Sequence, residues 1–149
     1  MKRLLLLSAL LIFTCSSDDS ASDDNNQSFL EKYNGVVWKD DGFDDGFGDY
    51  IYFYYSFTLN SISQAEKYGA DCEPGSTNWD VEDSEGLYLR VVENLPEKLV
   101  FEELELPDNG IPELVTYTVT TINNGNGVEI RYSFDNSIDT YTRVSDFCE

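Results

Sequence analysis

The sequence predicts an antiparallel all-β domain of barrel or sandwich type, preceded by a single helical turn. Apolar and polar residues alternate with a period of two through most of the chain after residue 34, as expected for strands with one buried face. Residues that favour tight turns separate these runs at short intervals. The chain has 149 residues, of which 41% are hydrophobic and 14% aromatic, so a single core is expected.

The first residues differ from the rest and predict an exported, lipid-anchored protein. Lys2 and Arg3 precede an apolar run, residues 4–13, that is too short to span a bilayer and is typical of a signal peptide. Residues 11–15 (LIFTC) resemble a bacterial lipobox. We therefore expect residues 1–14 to be cleaved off and Cys15 to be lipidated, since a multiply acylated cysteine anchors a protein firmly. An ordinary signal peptide with an incidental cysteine is the alternative.

Residues 15–27 are expected to form an acidic, solvated tether between the anchor and a domain at residues 28–149. The tether contains four aspartates and no large apolar side chain, so it has nothing to pack into a core. A serine followed by acidic residues behind the cysteine resembles the export signal of surface lipoproteins in the Bacteroidetes group. That resemblance implies display on the outer face of the outer membrane, and a spacer facing the periplasm is the alternative.

The domain opens with a capping-box pattern, Ser28 and Glu31, that predicts one helical turn. Glycines and asparagines at residues 123–127 predict a hairpin loop, and residues 135–137 a second tight turn, so the last three strands form an antiparallel meander. Seven strands are expected in all. They lie at residues 35–39, 49–59, 86–92, 98–103, 114–122, 128–135 and 138–144.

Residues 60–85 show no clear period. They are compatible with a long loop, a short helix at residues 63–68 or an eighth strand. Cys72 lies in this segment, and Cys148 is next to the last residue. With Cys15 committed to lipid, the two remaining cysteines of an exported protein are expected to form a disulfide, worth roughly 4 kcal/mol in the chain-entropy model. Free thiols with a redox or metal-binding role are the alternative.

Charge and residue content exclude several classes of function. The formal net charge of -20 repels phosphate backbones and anionic head groups, so nucleic acids are disfavoured, and cations or basic proteins are better partners. The absence of histidine removes the commonest general base and the commonest transition-metal ligand. No pair among the 29 acidic residues stands out as an acid and base pair, so we expect no enzymatic activity.

Residues 39–49 are the most unusual segment, because carboxylates alternate there with glycines. Calcium takes several oxygen ligands in flexible loops, so a calcium site is a candidate, although the glutamate that closes an EF-hand loop is missing. The alternative is an acidic loop whose Phe43 and Phe47 cap the barrel mouth or contact a partner. The candidate calcium ligands are Asp40, Asp41, Asp44, Asp45 and Asp49.

The helical turn, the early tryptophan, the regular strands and the closing residues 140–144 (TYTRV) together resemble the lipocalin-like lipoproteins of Bacteroidetes. This resemblance covers residues 28–149 and implies an up-and-down β-barrel of seven to eight strands. It also implies that Trp38 on the first strand stacks against Arg143 on the last and closes one end of the barrel. Such a cation–π contact contributes roughly 0.5–2 kcal/mol.

The same resemblance implies a small apolar ligand inside the barrel, with the protein acting as a non-enzymatic binding module. An eight-stranded barrel is just wide enough to hold one small ligand or to be filled by its own side chains. A filled barrel would instead serve as an accessory subunit of an envelope complex and contact its partner through the outer surface. The inward residues expected to line or fill the interior are Phe53, Tyr55, Phe57, Tyr117, Tyr132 and Phe134.

Overall fold

A computed structural model of the chain describes residues 27–82, 88–105 and 110–149. The predicted signal peptide, the lipidated Cys15 and the tether up to residue 26 lie outside the described residues. So do residues 86 and 87, where a strand was predicted to begin. Within the described ranges, no helix is long and apolar enough to cross a membrane.

The described residues form one short α-helix, a single 3-10 turn (Asn123–Gly125) and eleven strands, and every strand pairing is antiparallel. All seven predicted strands are present. The helix is α1 (Phe29–Lys32), and the strands are β1 (Val37–Asp40), β2 (Phe43–Asp44), β3 (Tyr50–Phe57), β4 (Ser61–Tyr68), β5 (Asp71–Asn78), β6 (Val81–Glu82), β7 (Tyr88–Leu95), β8 (Lys98–Glu105), β9 (Glu113–Ile122), β10 (Gly127–Tyr132) and β11 (Ile138–Val144).

The strands form a single curled sheet with up-and-down order. β1 lies between β3 and β11, so one half of the sheet runs β1, β3, β4, β5 and the other runs from β11 back to β6. The prediction of an antiparallel, barrel-like all-β fold is confirmed. The sheet has more than seven to eight strands, however, and β5 and β6 are its two ends, so no strand pairing among the described residues closes it. The two ends are consecutive in sequence, as they would be in an up-and-down barrel opened along one seam.

The ambiguous segment contains β4, β5 and β6 rather than a long loop or a helix. β4 and β5 form a regular hairpin from Ser61 opposite Asn78 to Tyr68 opposite Asp71. β5 is exposed along most of its length and contains Pro74, which has no backbone donor. Such polar edge strands resist pairing with other chains, but they bury neither face, so no alternation of polarity marks them in the sequence.

The main core fills the concave face of the sheet at the end that α1 covers. The capping box is present, since the backbone N–H and the hydroxyl of Ser28 both donate to the Glu31 carboxylate, at 2.8 and 2.7 Å. The ring of Phe29 packs edge-on against Phe57, with 5.9 Å between centroids. The largest side chains that are fully buried in this core are Phe29, Trp38, Phe57, Leu99, Phe101, Val119, Val128 and Ile130.

A second, smaller cluster lies on the convex face and is covered by the last residues of the chain. Tyr54 lies on the tyrosine-rich face of β3, opposite the face that packs into the main core, and it is fully buried there together with Val37 and Ala65. The ring of Phe147 packs over it at 6.3 Å. β3 therefore buries side chains on both of its faces, because the C-terminal segment covers the convex one.

A disulfide holds this C-terminal segment against the sheet. It joins Cys72 on β5 to Cys148, with 5.9 Å between the Cα atoms, as predicted. Lys67 on the neighbouring β4 donates a 2.7 Å hydrogen bond to the carbonyl oxygen of Cys148. The chain terminus is therefore fastened to the edge of the sheet by one covalent and several polar contacts.

Candidate ligand-binding site

The end of the sheet opposite α1 is open on its concave side. β1 runs away from α1 and β3 runs back towards it, so the loops at residues 41–49, 69–70 and 133–137 all lie at the open end. Strand register fixes which side chains share the concave face there. Trp38 is opposite Tyr55, and Tyr117 is opposite both Phe101 and Tyr132.

The six residues expected to line or fill the interior divide by depth. Phe57 is fully buried in the core, and Tyr55 stacks on it at 6.1 Å. Tyr117 stacks on Phe101 at 4.5 Å, while Tyr132 contacts Tyr117 edge-on at 5.4 Å. These aromatic rings form the floor of the open end.

The other two residues of the set lie at the rim. Phe53 is 36% exposed, and Phe134 is 64% exposed because it follows the last residue of β10 and belongs to the turn. The expectation that Phe134 faces the core is therefore wrong. It instead lines a shallow cavity of about 170 Å³ at the open end, together with Glu105, Glu113 and Val115.

Three adjoining cavities form one groove along the concave face of β3, β4 and β5, which we call the inner groove. Their volumes are about 260, 240 and 140 Å³. The first two share Glu66 and Glu73, and the third reaches across the seam between β5 and β7, where Glu103 faces it. The aromatic and long polar side chains that line the inner groove include Phe53, Tyr55, Gln64, Glu66, Glu73 and Glu103.

Tyrosine hydroxyls and carboxylates surround the floor of the open end. Tyr117 donates a hydrogen bond to the Glu105 carboxylate, and the hydroxyls of Tyr132 and Tyr141 lie 3.3 Å apart. Burial raises the pKa of all three of these tyrosines and that of Tyr55, so they remain protonated near neutral pH. Burial also raises the pKa of Glu103, with a further contribution from the negative charge of Glu105.

No basic side chain of the described residues lies at the open end of the concave face. Two of the nine lysines and arginines are Lys2 and Arg3, which leaves seven in the described ranges. Lys32 is on α1, and Arg143 is placed near the α1 end by its pairing with Trp38. Alternation with buried neighbours places the other five on the convex face, namely Lys39, Lys67, Arg90, Lys98 and Arg131.

Trp38 and Arg143 are directly opposite each other on β1 and β11, but the Arg143 guanidinium does not stack on the indole ring as expected. In the part of the chain that the structure describes, the cations over aromatic rings belong to Lys32, Lys39 and Arg90. Trp38 is fully buried and packs edge-on against Tyr33, the residue that follows α1. Its indole N–H has no hydrogen-bond partner among the described residues, so close packing must offset a desolvation cost of about 1–3 kcal/mol.

The acidic loop uses its carboxylates to organise its own backbone. One oxygen of Asp45 accepts hydrogen bonds from the backbone N–H groups of Phe47, Gly48 and Asp49, at 2.7, 3.1 and 3.2 Å. The other oxygen of Asp45 accepts a hydrogen bond from the hydroxyl of Tyr68. Asp40 and Asp44 accept backbone hydrogen bonds from Phe53 and Gly46, at 2.9 and 2.7 Å.

These contacts bear on the predicted calcium ligands, which also include the exposed Asp41. Within the described ranges, no three His, Cys, Asp or Glu side chains are grouped so that they could hold a metal ion. The hydrogen bonds of Asp45 give this loop its shape through protein groups alone. Calcium binding by Asp40, Asp41, Asp44, Asp45 and Asp49 stays a prediction.

Comparison with known proteins assigns no family to the chain. The sequence matches no protein-family model and none of the curated proteins with which it was compared. Gln64, Glu66 and Glu73 were not among the predicted site residues, because their segment was not assigned to strands from the sequence. For Gln64 and Glu66, the available signal was their spacing of two residues on either side of Ala65, which is buried on the opposite face of β4.

Proposed function

We propose that the folded domain is a non-enzymatic binding module that holds a small ligand in the inner groove. The observation that carries this proposal is the asymmetry of the barrel-like sheet. One end is filled by aromatic side chains and covered by α1, whereas the other is open and leads into cavities lined by the rings of Phe53, Tyr55 and Tyr68 and by several polar side chains. Small-molecule sites in proteins are typically concave and use polar groups to orient the ligand.

The chemistry of the groove supports binding rather than catalysis. The chain contains no histidine, and the tyrosines at its floor have raised pKa values and stay protonated. Protonated phenols donate hydrogen bonds to a ligand but do not accept protons near neutral pH. The groups present are therefore suited to hold and orient a molecule.

We also propose that Cys15 anchors the domain by lipid to the outer membrane, at the cell surface, as in the lipocalin-like lipoproteins of Bacteroidetes that the sequence resembles. The leader, the lipobox-like residues and the acidic tether support this location, and the disulfide agrees with an exported protein. Protease treatment of intact cells tests it. Removal of the domain from intact cells is expected, and protection until the outer membrane is opened would place it on the periplasmic face.

The binding proposal is tested by filling the groove. Gln64 is exposed on the concave face, so Gln64→Trp adds a bulky ring to the groove without disturbing the core. Thr120→Trp is the matched control, because Thr120 is exposed on the convex face between two paired strands. Small aromatic molecules are screened against the full-length protein by ligand-observed NMR. Binding is expected to be lost with Gln64→Trp and kept with Thr120→Trp, and binding that survives in both would overturn the proposal.

A second candidate function is contact with an envelope protein through the rim of the open end. Phe47 is 92% exposed and Phe43 is 49% exposed on the loop between β1 and β3, and Phe134 lies on another rim loop. Exposed aromatic side chains grouped at one end are typical of protein contacts. Phe47→Ser distinguishes the two functions, because it should abolish cross-linking to an envelope protein in cells and leave small-molecule binding unchanged.

A further inference from the structure

We infer that the ligand of the inner groove is an organic cation, a molecule with an amine or quaternary ammonium group next to a small apolar body. This inference rests on the proposed function and adds the chemical class of the ligand. It follows from three features of the groove: its carboxylates have no basic partner among the described residues, its aromatic rings lie beside those carboxylates, and its volume suits a small molecule better than a bare ion.

Three carboxylates give the inner groove its negative charge. Glu66 and Glu73 are directly opposite each other on β4 and β5, and both line the two larger cavities of the groove. Glu103 faces the third cavity from the other side of the seam. Of the described lysines and arginines, Arg143 shares the concave face but lies at its α1 end, so the carboxylates of the groove have no basic side chain beside them. A cation entering the groove gains from every one of these charges.

The aromatic rings determine what kind of cation fits. Phe53 is the strand partner of Glu66, and Tyr55 is the strand partner of Gln64 one step deeper. Each ring therefore lies on the same face as a polar side chain of the next strand. The faces of such rings attract ammonium groups, and the attraction grows when water is excluded. The faces of these rings supply no oxygen ligands to a metal ion, which needs several.

Other ligand classes fit the groove less well. A neutral apolar molecule would cover ionised carboxylates without giving them a partner, and an anion would meet their repulsion directly. The half-buried Glu103 already shows the cost of this arrangement, because burial and the nearby Glu105 raise its pKa. A positive charge in the groove would relieve that cost. The inner groove therefore selects for a positive group that is attached to an apolar one.

The first test compares two probes of nearly the same shape. Phenyltrimethylammonium and tert-butylbenzene differ mainly in whether a charged nitrogen or a neutral carbon carries the three methyl groups. Both are titrated against the full-length, disulfide-bonded protein by NMR. The cation is expected to bind at least about tenfold more tightly than the neutral probe, and its affinity should fall as salt is added.

Matched variants then locate the attraction. Glu73→Gln removes one charge from the groove, and Glu129→Gln removes one from the convex face, where Glu129 lies opposite Thr120 and Thr140. Loss of the groove charge is expected to weaken binding of the cation by about three- to tenfold, whereas loss of the convex charge has little effect. Phe53→Leu keeps apolar volume at the rim and should weaken the cation more than the neutral probe.

The possible outcomes separate this inference from the proposed function. Tighter binding of tert-butylbenzene, abolished by Gln64→Trp, would overturn the cationic ligand and leave the binding module intact. Failure of both probes to bind would count against both ideas. Equal weakening by Glu73→Gln and Glu129→Gln would show general attraction to an acidic protein, and it would also overturn the inference.

Discussion

The hydroxyl of Tyr54 donates a 2.6 Å hydrogen bond to the backbone carbonyl oxygen of Glu149, the last residue of the chain. The same oxygen accepts a 2.8 Å hydrogen bond from Lys39, whose ammonium group also lies over the rings of Tyr52 and Tyr54. The C-terminal segment, residues 145–149, thus contacts β1, β3 and β4, and we call this segment the C-terminal clip. It gives the tyrosine-rich convex face of β3 a structural role.

Removal of the Tyr54 hydroxyl is expected to weaken this clip. Tyr54→Phe leaves the ring in place but removes one donor to the Glu149 carbonyl, so the free energy of unfolding should fall by about 0.5–1.5 kcal/mol. Chemical denaturation measures the change. Tyr50→Phe is the matched control, because Tyr50 is 49% exposed on the same strand. Equal effects of the two substitutions would show that the Tyr54 hydrogen bond contributes nothing specific.

Loss of the disulfide is expected to have a larger effect. The bridge spans 76 residues of sequence. The free energy of unfolding of the double variant Cys72→Ser/Cys148→Ser should therefore be about 2–5 kcal/mol lower than that of the oxidised protein. Amide hydrogen exchange in β5 should rise with it, because this edge strand pairs only with β4 among the described residues. Reduction of the wild-type protein should reproduce the variant. An unchanged unfolding midpoint on reduction would contradict the prediction.

The sequence predicted the strands whose apolar and polar residues alternate regularly and missed β4, β5 and β6, which lack a regular alternation. β9 and β10 alternate cleanly because residues such as Val119 and Ile130 face a filled core, and their turns contain residues that tolerate positive φ. β5 is an exposed edge, so its polar sequence contains no such signal. The clip at Tyr54 was also beyond sequence patterns, since it depends on where a distant terminus folds back.

Strand periodicity also decided which residues of the site could be predicted. The aromatic floor was predicted, because Tyr55, Tyr117 and Tyr132 follow the period of the strands they belong to. The carboxylate pair of the groove was not predicted, since Glu66 and Glu73 become neighbours only when β4 and β5 pair. Trp38 and Arg143 were expected to stack. They lie directly opposite each other on β1 and β11, but α1 covers that end and Tyr33 packs against the indole ring.

Gly125 is expected to be intolerant of any side chain. Its φ is +79°, and a Cβ atom there would lie 2.7 Å from the hydroxyl oxygen of Tyr33. Gly46 has a similar φ of +81° but open space around the added atom, so Gly46→Ala measures backbone strain alone, about 1–2 kcal/mol. Gly125→Ala should cost more than Gly46→Ala in unfolding free energy, because it also displaces Tyr33. Equal costs would mean that Tyr33 moves aside freely.

The contacts of Glu97 predict how acid loosens the α1 end of the domain. Its carboxylate pairs with the ammonium group of Lys32 on α1 and accepts a hydrogen bond from the Thr121 hydroxyl. The hydroxyl of Tyr33 lies 3.5 Å from the Glu97 Oε2 atom. The hydrogen bond from Lys32 is the largest cause of a pKa for Glu97 below the usual 4.5, and the same contact raises the pKa of Lys32 above 10.5. Glu97 therefore joins α1 to β9 over the whole pH range between these values.

The sign of the pH effect follows from the direction of each shift. A carboxylate with a lowered pKa stabilises the folded state above its unfolded pKa of about 4.5, and this contribution is lost as the pH falls through the folded value. We expect wild type to exceed Glu97→Gln in unfolding free energy by no more than about 1 kcal/mol at neutral pH, because the ion pair is partly exposed. The difference should vanish in acid. A difference that grew as the pH fell would mean that Glu97 does not hold α1 through its charge.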